Sequence, residues 1–189
     1  MKIIVYCLNI LILISVSACS FLFQSSDQAK NNKFLLQSTR EVKVFFTKSK
    51  KPDDIMFVPV ARKIPRDDSI VDASLRELFL GPTKKEELKG IMTEIPVGTR
   101  LIKVEESPDE ILIDLSTQFL TGGGSATMQL RYLQLYKTLK KIAPGKTLYL
   151  NVDGKNLKTI GGEGLEITQP LMTINDYTEK FEKNTENIK

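Results

Sequence analysis

Both cysteines of this chain, Cys7 and Cys19, lie within its first twenty residues, and the sequence contains no histidine. Beyond residue 19 the chain therefore has neither a cysteine pair for an internal disulfide nor a Cys/His set for zinc. The commonest general base is missing as well. With 189 residues, of which 41% are hydrophobic and 26% charged, the chain is long enough to bury a core of its own. We expect one compact domain held by apolar packing, with extensions.

The N-terminus has the three-part layout of a secretory signal peptide. Lys2 supplies a positive charge, Ile3–Ile14 is almost continuously apolar, and small residues follow. The run from Val16 to Cys19 resembles the bacterial lipobox, in which a peptidase cuts before a cysteine that carries a diacylglyceryl group. The resemblance implies a lipoprotein signal peptide over residues 1–18, with Cys19 as the attachment site for lipid and for acyl chains such as palmitate.

An uncleaved membrane anchor is the alternative. The segment Ile3–Phe23 is mostly apolar and matches the ~20 residues that a spanning helix needs. Residues 15–20 are small and partly polar, which disfavours a helix end there. In either case Lys2 should stay inside. The rest of the chain is therefore expected outside the cytoplasm, anchored to the cell membrane or the outer membrane.

The charge balance bears on the partners. The net charge is +4, and aromatic residues make up 7% of the chain. Proteins that bind nucleic acid are typically far more basic, so nucleic acid is not an expected partner. Two basic clusters stand out, one at Lys48–Lys51 and one formed by Lys137, Lys140, Lys141 and Lys146. They would either contact anionic lipid or wall polymer near the anchor, or form a solvated face.

Composition divides the mature chain into three parts. Residues 19–40 carry the lipid and a polar, flexible tether that includes Ser25–Lys33. The domain is expected over residues 41–168. Residues 169–189 form a charged tail, which is sparse in apolar side chains after Asn175.

Inside the domain, the hydrophobic pattern switches between the period of strands and that of helices. Strands are predicted over Val42–Phe46, Phe57–Ile64, Arg100–Glu105, Glu110–Leu115, Leu148–Val152 and Leu157–Ile160. One helix should begin after Asp67-Asp68-Ser69, which offers N-cap chemistry, and end at Gly81-Pro82. A second should run over Ser125–Ile142. A short helical turn should start at Thr83, which opens a capping box.

The order of these elements, ββαββαββ, predicts an α+β fold with two helices packed on a largely antiparallel sheet. The tightest connection is Asp153-Gly154, a dipeptide typical of two-residue hairpin turns. The helix-plus-hairpin unit occurs twice at similar length, which suggests two topologically similar halves.

A family signature is spread over the same elements. It consists of Val42–Phe46, Pro59–Arg62, Leu78–Thr83 with Glu87 and Gly90, Ile95–Thr99, Ile113–Ser116 with Phe119, and Gly123–Ser125 before the second helix. Over Glu41–Gly164 these motifs resemble the GerMN domain, named for a sporulation and germination lipoprotein of endospore-forming bacteria. The resemblance implies halves similar to the ring-building motifs of secretion-system proteins, no catalytic activity, and a role in assembling an envelope channel complex. The domain also occurs in bacteria that make no spores.

Few residues point to chemistry. The loop Gly122–Ser125 before a helix would suit an anion, but it lacks the P-loop lysine, and we expect a tight turn with Ser125 as N-cap. Asp114 near Ser116 would serve catalysis only with another base, such as lysine. We expect Asp114 to bind a loop or to mark the solvent face of the sheet. Paired acids such as Glu105-Glu106 suit solvation and capping better than glycan cleavage.

Two hypotheses for function remain. The first is a lipid-anchored, non-catalytic interaction and assembly module that docks onto envelope proteins or self-associates. The alternative is an accessory protein that binds or hydrolyses cell-wall glycan, with peptidoglycan as its partner. We expect no catalytic residue, no cofactor and no metal, which leaves Cys19 as the one predicted functional residue.

Overall fold

The computed structural model of the protein describes residues 38–51, 54–160 and 165–172. The predicted signal peptide, both cysteines and the tether up to residue 37 lie outside the described residues. So does the predicted tail after Met172. Within the described ranges, no helix is long and apolar enough to cross a membrane.

The elements follow one another in the predicted α+β order. They are β1 (Thr39–Lys51), β2 (Asp54–Pro65), α1 (Ile70–Phe79), α2 (Lys84–Glu87), β3 (Ile91–Met92), β4 (Leu101–Glu106), β5 (Glu110–Leu115), a 3₁₀ helix (Thr117–Leu120), α3 (Ser125–Ile142), β6 (Thr147–Val152), β7 (Lys155–Asn156), β8 (Thr159–Ile160) and β9 (Leu165–Glu166). Local signals set several of these bounds. The Ser69 hydroxyl accepts a hydrogen bond from the Asp72 N–H and caps α1, and Gly81 follows its end with a φ of 78°.

Two sheets carry most of the strands. β1 lies between β2 and β3 in one, and the other has the order β4-β5-β6-β7. β4 and β5 form the predicted antiparallel hairpin. β5 and β6 are parallel, because α3 crosses over between them and returns the chain in the same direction. The sheets are otherwise mostly antiparallel, so the predicted fold class is confirmed.

The predicted return strand Leu157–Ile160 is wrong in detail. β7 pairs with β6 through only two residues after the Asp153-Gly154 turn, and Ile160 pairs with Leu165 instead. The physical reason is the side chain of Gln169. Its carboxamide accepts from the Leu150 N–H at 3.2 Å and donates to the carbonyls of Leu150 and Leu157 at 3.0 and 3.1 Å. It thereby takes the place of a continuing strand.

Residues 169–172, which the sequence assigned to the tail, pack against the domain. The Leu171 side chain is buried, and its N–H donates to the Leu148 carbonyl at 2.7 Å. The Tyr132 hydroxyl donates to the Met172 carbonyl at 2.7 Å and accepts from the Met172 N–H at 2.9 Å. The packed region therefore extends beyond residue 168.

The main core lies between the four-stranded sheet and the two longer helices. Alternate side chains of β5 and β6 point to this side, and so do the apolar faces of α1 and α3. The fully buried members from these elements are Val71, Leu75, Leu78, Ile111, Ile113, Leu115, Leu135, Leu139, Leu148 and Leu150. Each such side chain contributes about 1.5–3 kcal/mol by leaving water. This packing holds α1 beside β4, where the candidate surface lies.

Candidate interaction surface

β4 forms one edge of the four-stranded sheet. Its hydrogen bonding follows from the register, in which Lys103 faces Asp114 and Glu105 faces Leu112. The Ser107 N–H donates to the Glu110 carbonyl at 2.9 Å. This bond shows which residues of β4 direct their backbone groups towards β5. Backbone groups alternate in direction along an antiparallel strand. The N–H and C=O groups of Val104 and Glu106 therefore point away from β5, towards the open edge.

A groove of about 1010 Å³ separates this edge from α1. Helix α1 contributes residues such as Arg76 and Phe79, and Leu80 follows at its end. Two apolar side chains of the lining are well exposed, Leu80 at 78% and Ile102 at 52%. Unpaired strand groups beside exposed apolar side chains are the combination that receives an added strand.

Ion pairs form along both α1 and β4, the two elements on either side of the groove. Arg76 binds Asp72 across one helical turn at 2.5 Å. On β4, Lys103 forms an ion pair with Glu105. The hydrogen bond and the charge of Glu105 raise the pKa of Lys103. Glu106 accepts a hydrogen bond from the Ser69 hydroxyl at 2.7 Å, which ties the start of α1 to the edge strand.

An arginine clamp lies at the other end of α1, where Arg62 pairs with Glu77 of α1 at 3.5 Å and donates to the Gly81 carbonyl at 3.4 Å. Arg62 on β2 donates to both carboxylate oxygens of Glu86, at 2.8 and 2.7 Å, and stacks over the Phe46 ring at 5.3 Å. Glu86 also accepts from the Thr83 N–H at 2.7 Å, as the predicted capping box requires. The hydrogen bonds from Arg62 hold the pKa of Glu86 at about 2, against its ordinary 4.5. The clamp connects β2 to the loop that carries Leu80.

The glycine-rich loop is held from inside by a buried arginine. Arg131 is 2% exposed, and it donates to the carbonyls of Glu94, Phe119 and Gly122 at 2.8, 2.7 and 3.0 Å. Burial lowers its pKa. Arg131 is not among the residues predicted from the sequence. The spacing could have found it, because Arg131 lies three residues after Met128 and four before Leu135, on the buried stripe of α3.

The predicted N-cap of α3 is wrong by one residue. Gly124 occupies the N-cap position, and Ser125 is the first residue of the helix. The chain enters the helix through Gly122 and Gly123, both at positive φ. A Cβ on Gly123 would lie 2.6 Å from the Thr127 methyl group. The loop therefore requires glycine for a packing reason.

The second candidate from the sequence was Asp114 with Ser116, and these two side chains bind different parts of the backbone. Both carboxylate oxygens of Asp114 lie 3.0 Å from the Gly154 N–H and so hold the turn between β6 and β7. The buried Ser116 hydroxyl accepts from the Arg100 N–H at 3.0 Å. Within residues 38–51, 54–160 and 165–172, no group of three acidic side chains is placed to hold a metal ion.

The face of the sheet opposite the helices is more polar. Tyr149 and Asn151 on β6, Leu112 on β5 and Asn156 on β7 line a shallow depression of about 570 Å³, and Glu110 borders it. The Tyr149 hydroxyl lies 3.4 Å from the Glu110 carboxylate. Partial desolvation, followed by the charge of Glu110, raises the pKa of Tyr149.

Comparisons with known proteins agree with the fold. A family model described as "Germane: Sporulation and spore germination" matches residues 43–158. The tandem GerMN domains of the sporulation protein GerM from Bacillus subtilis match with a TM-score of 0.57 and 21% identity, over 75% of this chain and 48% of that one. The first GerMN domain of that protein matches with a TM-score of 0.52 and 17% identity, over 73% of this chain and 100% of that one.

The predicted GerMN resemblance is thus confirmed, and the similarity to these structures shows the shared fold. The chain spans about half the length of the tandem-domain structure, 48%. No curated protein matches the sequence.

Proposed function

Because the chain belongs to the Germane family, whose model covers residues 43–158, we propose that it is a lipid-anchored, non-catalytic interaction and assembly module of the cell envelope. In this proposal Cys19 carries the lipid, the domain stands outside the cytoplasmic membrane, and its partners are envelope proteins or further copies of itself. The family description, sporulation and spore germination, supports a role in such an envelope complex.

The observation that carries the proposal is the edge strand β4 beside its groove. Val104 and Glu106 direct backbone donors and acceptors outward, and Ile102 and Leu80 add exposed apolar surface. An added strand would satisfy the backbone groups and cover the apolar side chains at once. Such a surface serves binding and needs no reactive group.

The sequence supports the absence of catalysis in this proposal. The chain has no histidine, and the polar pair that suggested chemistry, Asp114 with Ser116, is engaged in holding a turn and a strand. The lipobox-like run ending at Cys19 supports anchoring. More than one acyl chain on that cysteine would make the attachment stable.

The test has a labelling arm and a cross-linking arm. Metabolic labelling with a lipid precursor should mark the wild-type chain and not the Cys19→Ala variant. Cross-linking in intact cells should then join the wild-type protein to defined envelope proteins or to itself. Equal labelling of both chains would overturn the lipid anchor. Recovery of uncross-linked monomer alone would overturn the assembly role.

The alternative is a module that binds cell-wall glycan, and the polar sheet face favours it. A half-buried aromatic ring beside amide side chains, as with Tyr149 near Asn151 and Asn156, suits a sugar that needs both stacking and hydrogen bonds. Under this alternative the purified protein sediments with peptidoglycan, and Tyr149→Ala abolishes sedimentation. Absence of sedimentation, together with no release of glycan fragments, would remove it.

A further inference from the structure

Side chains of opposite charge lie on either side of Val104 in β4. Lys103 and Glu105 flank Val104 and lie on the face of the sheet opposite the helices. If two copies of this strand run antiparallel about a twofold axis at Val104, each Lys103 lies directly across from the Glu105 of the other copy. The arrangement thus complements itself in both charge and direction.

The backbone hydrogen-bonding groups of β4 also suit a twofold axis at Val104. Val104 has its N–H and C=O directed outward, so the Val104 residues of two copies would exchange a pair of N–H···O=C bonds. This joins two four-stranded sheets edge to edge, with the order β7-β6-β5-β4-β4-β5-β6-β7. The groove of about 1010 Å³ between β4 and α1 leaves room for the added strand.

The charges also disfavour the two neighbouring registers. A twofold axis at Lys103 would place Lys103 against its own counterpart, and an axis at Glu105 would oppose two glutamates. Like charges directly opposite each other destabilise a strand pair, and charged edges are a general protection against unspecific pairing. The pattern therefore permits the register centred on Val104 and disfavours its neighbours.

We propose that two copies of this chain pair through their β4 strands, antiparallel and centred on Val104, with reciprocal Lys103–Glu105 ion pairs. The inference rests on the proposed function, because it names a second copy of the chain as the partner that binds the β4 edge. Pairing covers the groove and turns the exposed Ile102 side chains towards the partner copy.

A charge-swap series on the full chain, solubilised in detergent, tests the pairing by sedimentation velocity. Lys103→Glu and Glu105→Lys each convert two attractive cross-strand pairs into two repulsive ones. We expect each to weaken dimerisation about tenfold, which corresponds to ~1.4 kcal/mol. The double variant restores both pairs and should return the dimer to within about twofold of wild type, or ~0.4 kcal/mol. Thermal unfolding of each variant verifies that the domain is folded.

The matched controls are Lys84→Glu and Glu87→Lys, which reverse an exposed ion pair of the same kind on α2 and should leave the dimer unchanged. The register is read with a carbodiimide, which joins lysine directly to glutamate. In a mixture of ¹⁴N- and ¹⁵N-labelled chains, wild type should give a mixed-isotope peptide linking Lys103 to Glu105. The double variant should give the reversed link.

A monomeric wild-type chain, or a dimer that all these variants leave equally strong, would overturn the pairing. Lipid on Cys19 and cross-links to other envelope proteins, without a dimer, would overturn the pairing and leave the proposed function standing. A dimer of the expected register on a chain without lipid would support the pairing and overturn the anchor.

Discussion

Replacing Arg62 by methionine tests how the loop beside the groove is held. The substitution keeps an apolar side chain over the Phe46 ring but removes both hydrogen bonds to Glu86. It also removes two longer contacts of the guanidinium, the hydrogen bond to the Gly81 carbonyl at 3.4 Å and the ion pair with Glu77 at 3.5 Å. The lowering of the Glu86 pKa from 4.5 to about 2 corresponds to roughly 3 kcal/mol of folding free energy at neutral pH. Thr83 supplies part of that lowering, so we expect Arg62→Met to reduce the free energy of unfolding by roughly 2 kcal/mol.

The effect should depend on pH in one direction. Because folding lowers the pKa of Glu86, its contribution to stability is complete above the ordinary value of 4.5 and is lost as the pH falls towards about 2. The difference between wild type and Arg62→Met should therefore be largest at neutral pH and shrink below pH 4.5. Urea unfolding of the full chain in detergent, followed by circular dichroism at pH 7 and at about pH 3, measures both quantities.

Arg76→Met is the matched control for this prediction. Arg76 also binds a carboxylate, that of Asp72, but its side chain is 66% exposed. Exposed pairs contribute at most about 1 kcal/mol, so this variant should lose less than Arg62→Met. Equal losses in the two variants, or a loss in Arg62→Met that does not change with pH, would refute the clamp.

Three further substitutions examine the loop and the C-terminal edge. Gly123→Ala should lower the free energy of unfolding by roughly 1–3 kcal/mol, because of its φ of 86° and its close contact with α3; Gly124→Ala, which has open space, should cost less, and urea unfolding of the pair decides. Arg131→Met should cost roughly 3 kcal/mol by leaving three carbonyls without donors, and a neutral result in the same assay would contradict this. Gln169→Ala should lower the free energy of unfolding by about 1–2 kcal/mol and speed hydrogen exchange at the Leu150 N–H, which donates to the Gln169 carboxamide; unchanged exchange would show that the carboxamide does not replace a strand there.

Signals carried by adjacent residues predicted their elements well. As expected, the run Asp67–Ser69 supplies the cap of α1, through Ser69. Thr83 opens α2, and Asp153-Gly154 turns β6 into β7. In each case the residue acts on backbone groups within four positions, so the sequence contains the whole interaction. The helix Ser125–Ile142 was predicted from its apolar stripe for the same reason.

Features set by distant contacts escaped prediction. The pairing of β3 with β1 joins Met92 to Thr47. The Gln169 side chain takes the place of a strand beside Leu150, 19 residues earlier in the chain. Neither has a local pattern, since each depends on where the packed core leaves a backbone group unpaired. The candidate surface falls between the two cases. The strand β4 could be predicted from the sequence as one arm of a hairpin, whereas its position at the sheet edge depends on the crossover through α3.

The most direct test of the assembly role compares two exposed apolar positions in intact cells. A photoreactive amino acid is placed at Ile102, beside the groove, or at Leu88 on the far end of α2, which is 89% exposed and does not line the groove. We predict protein adducts from position 102, a second copy of the chain among them, and few from position 88. Equal adducts from both positions, or none with protein from position 102, would contradict this prediction.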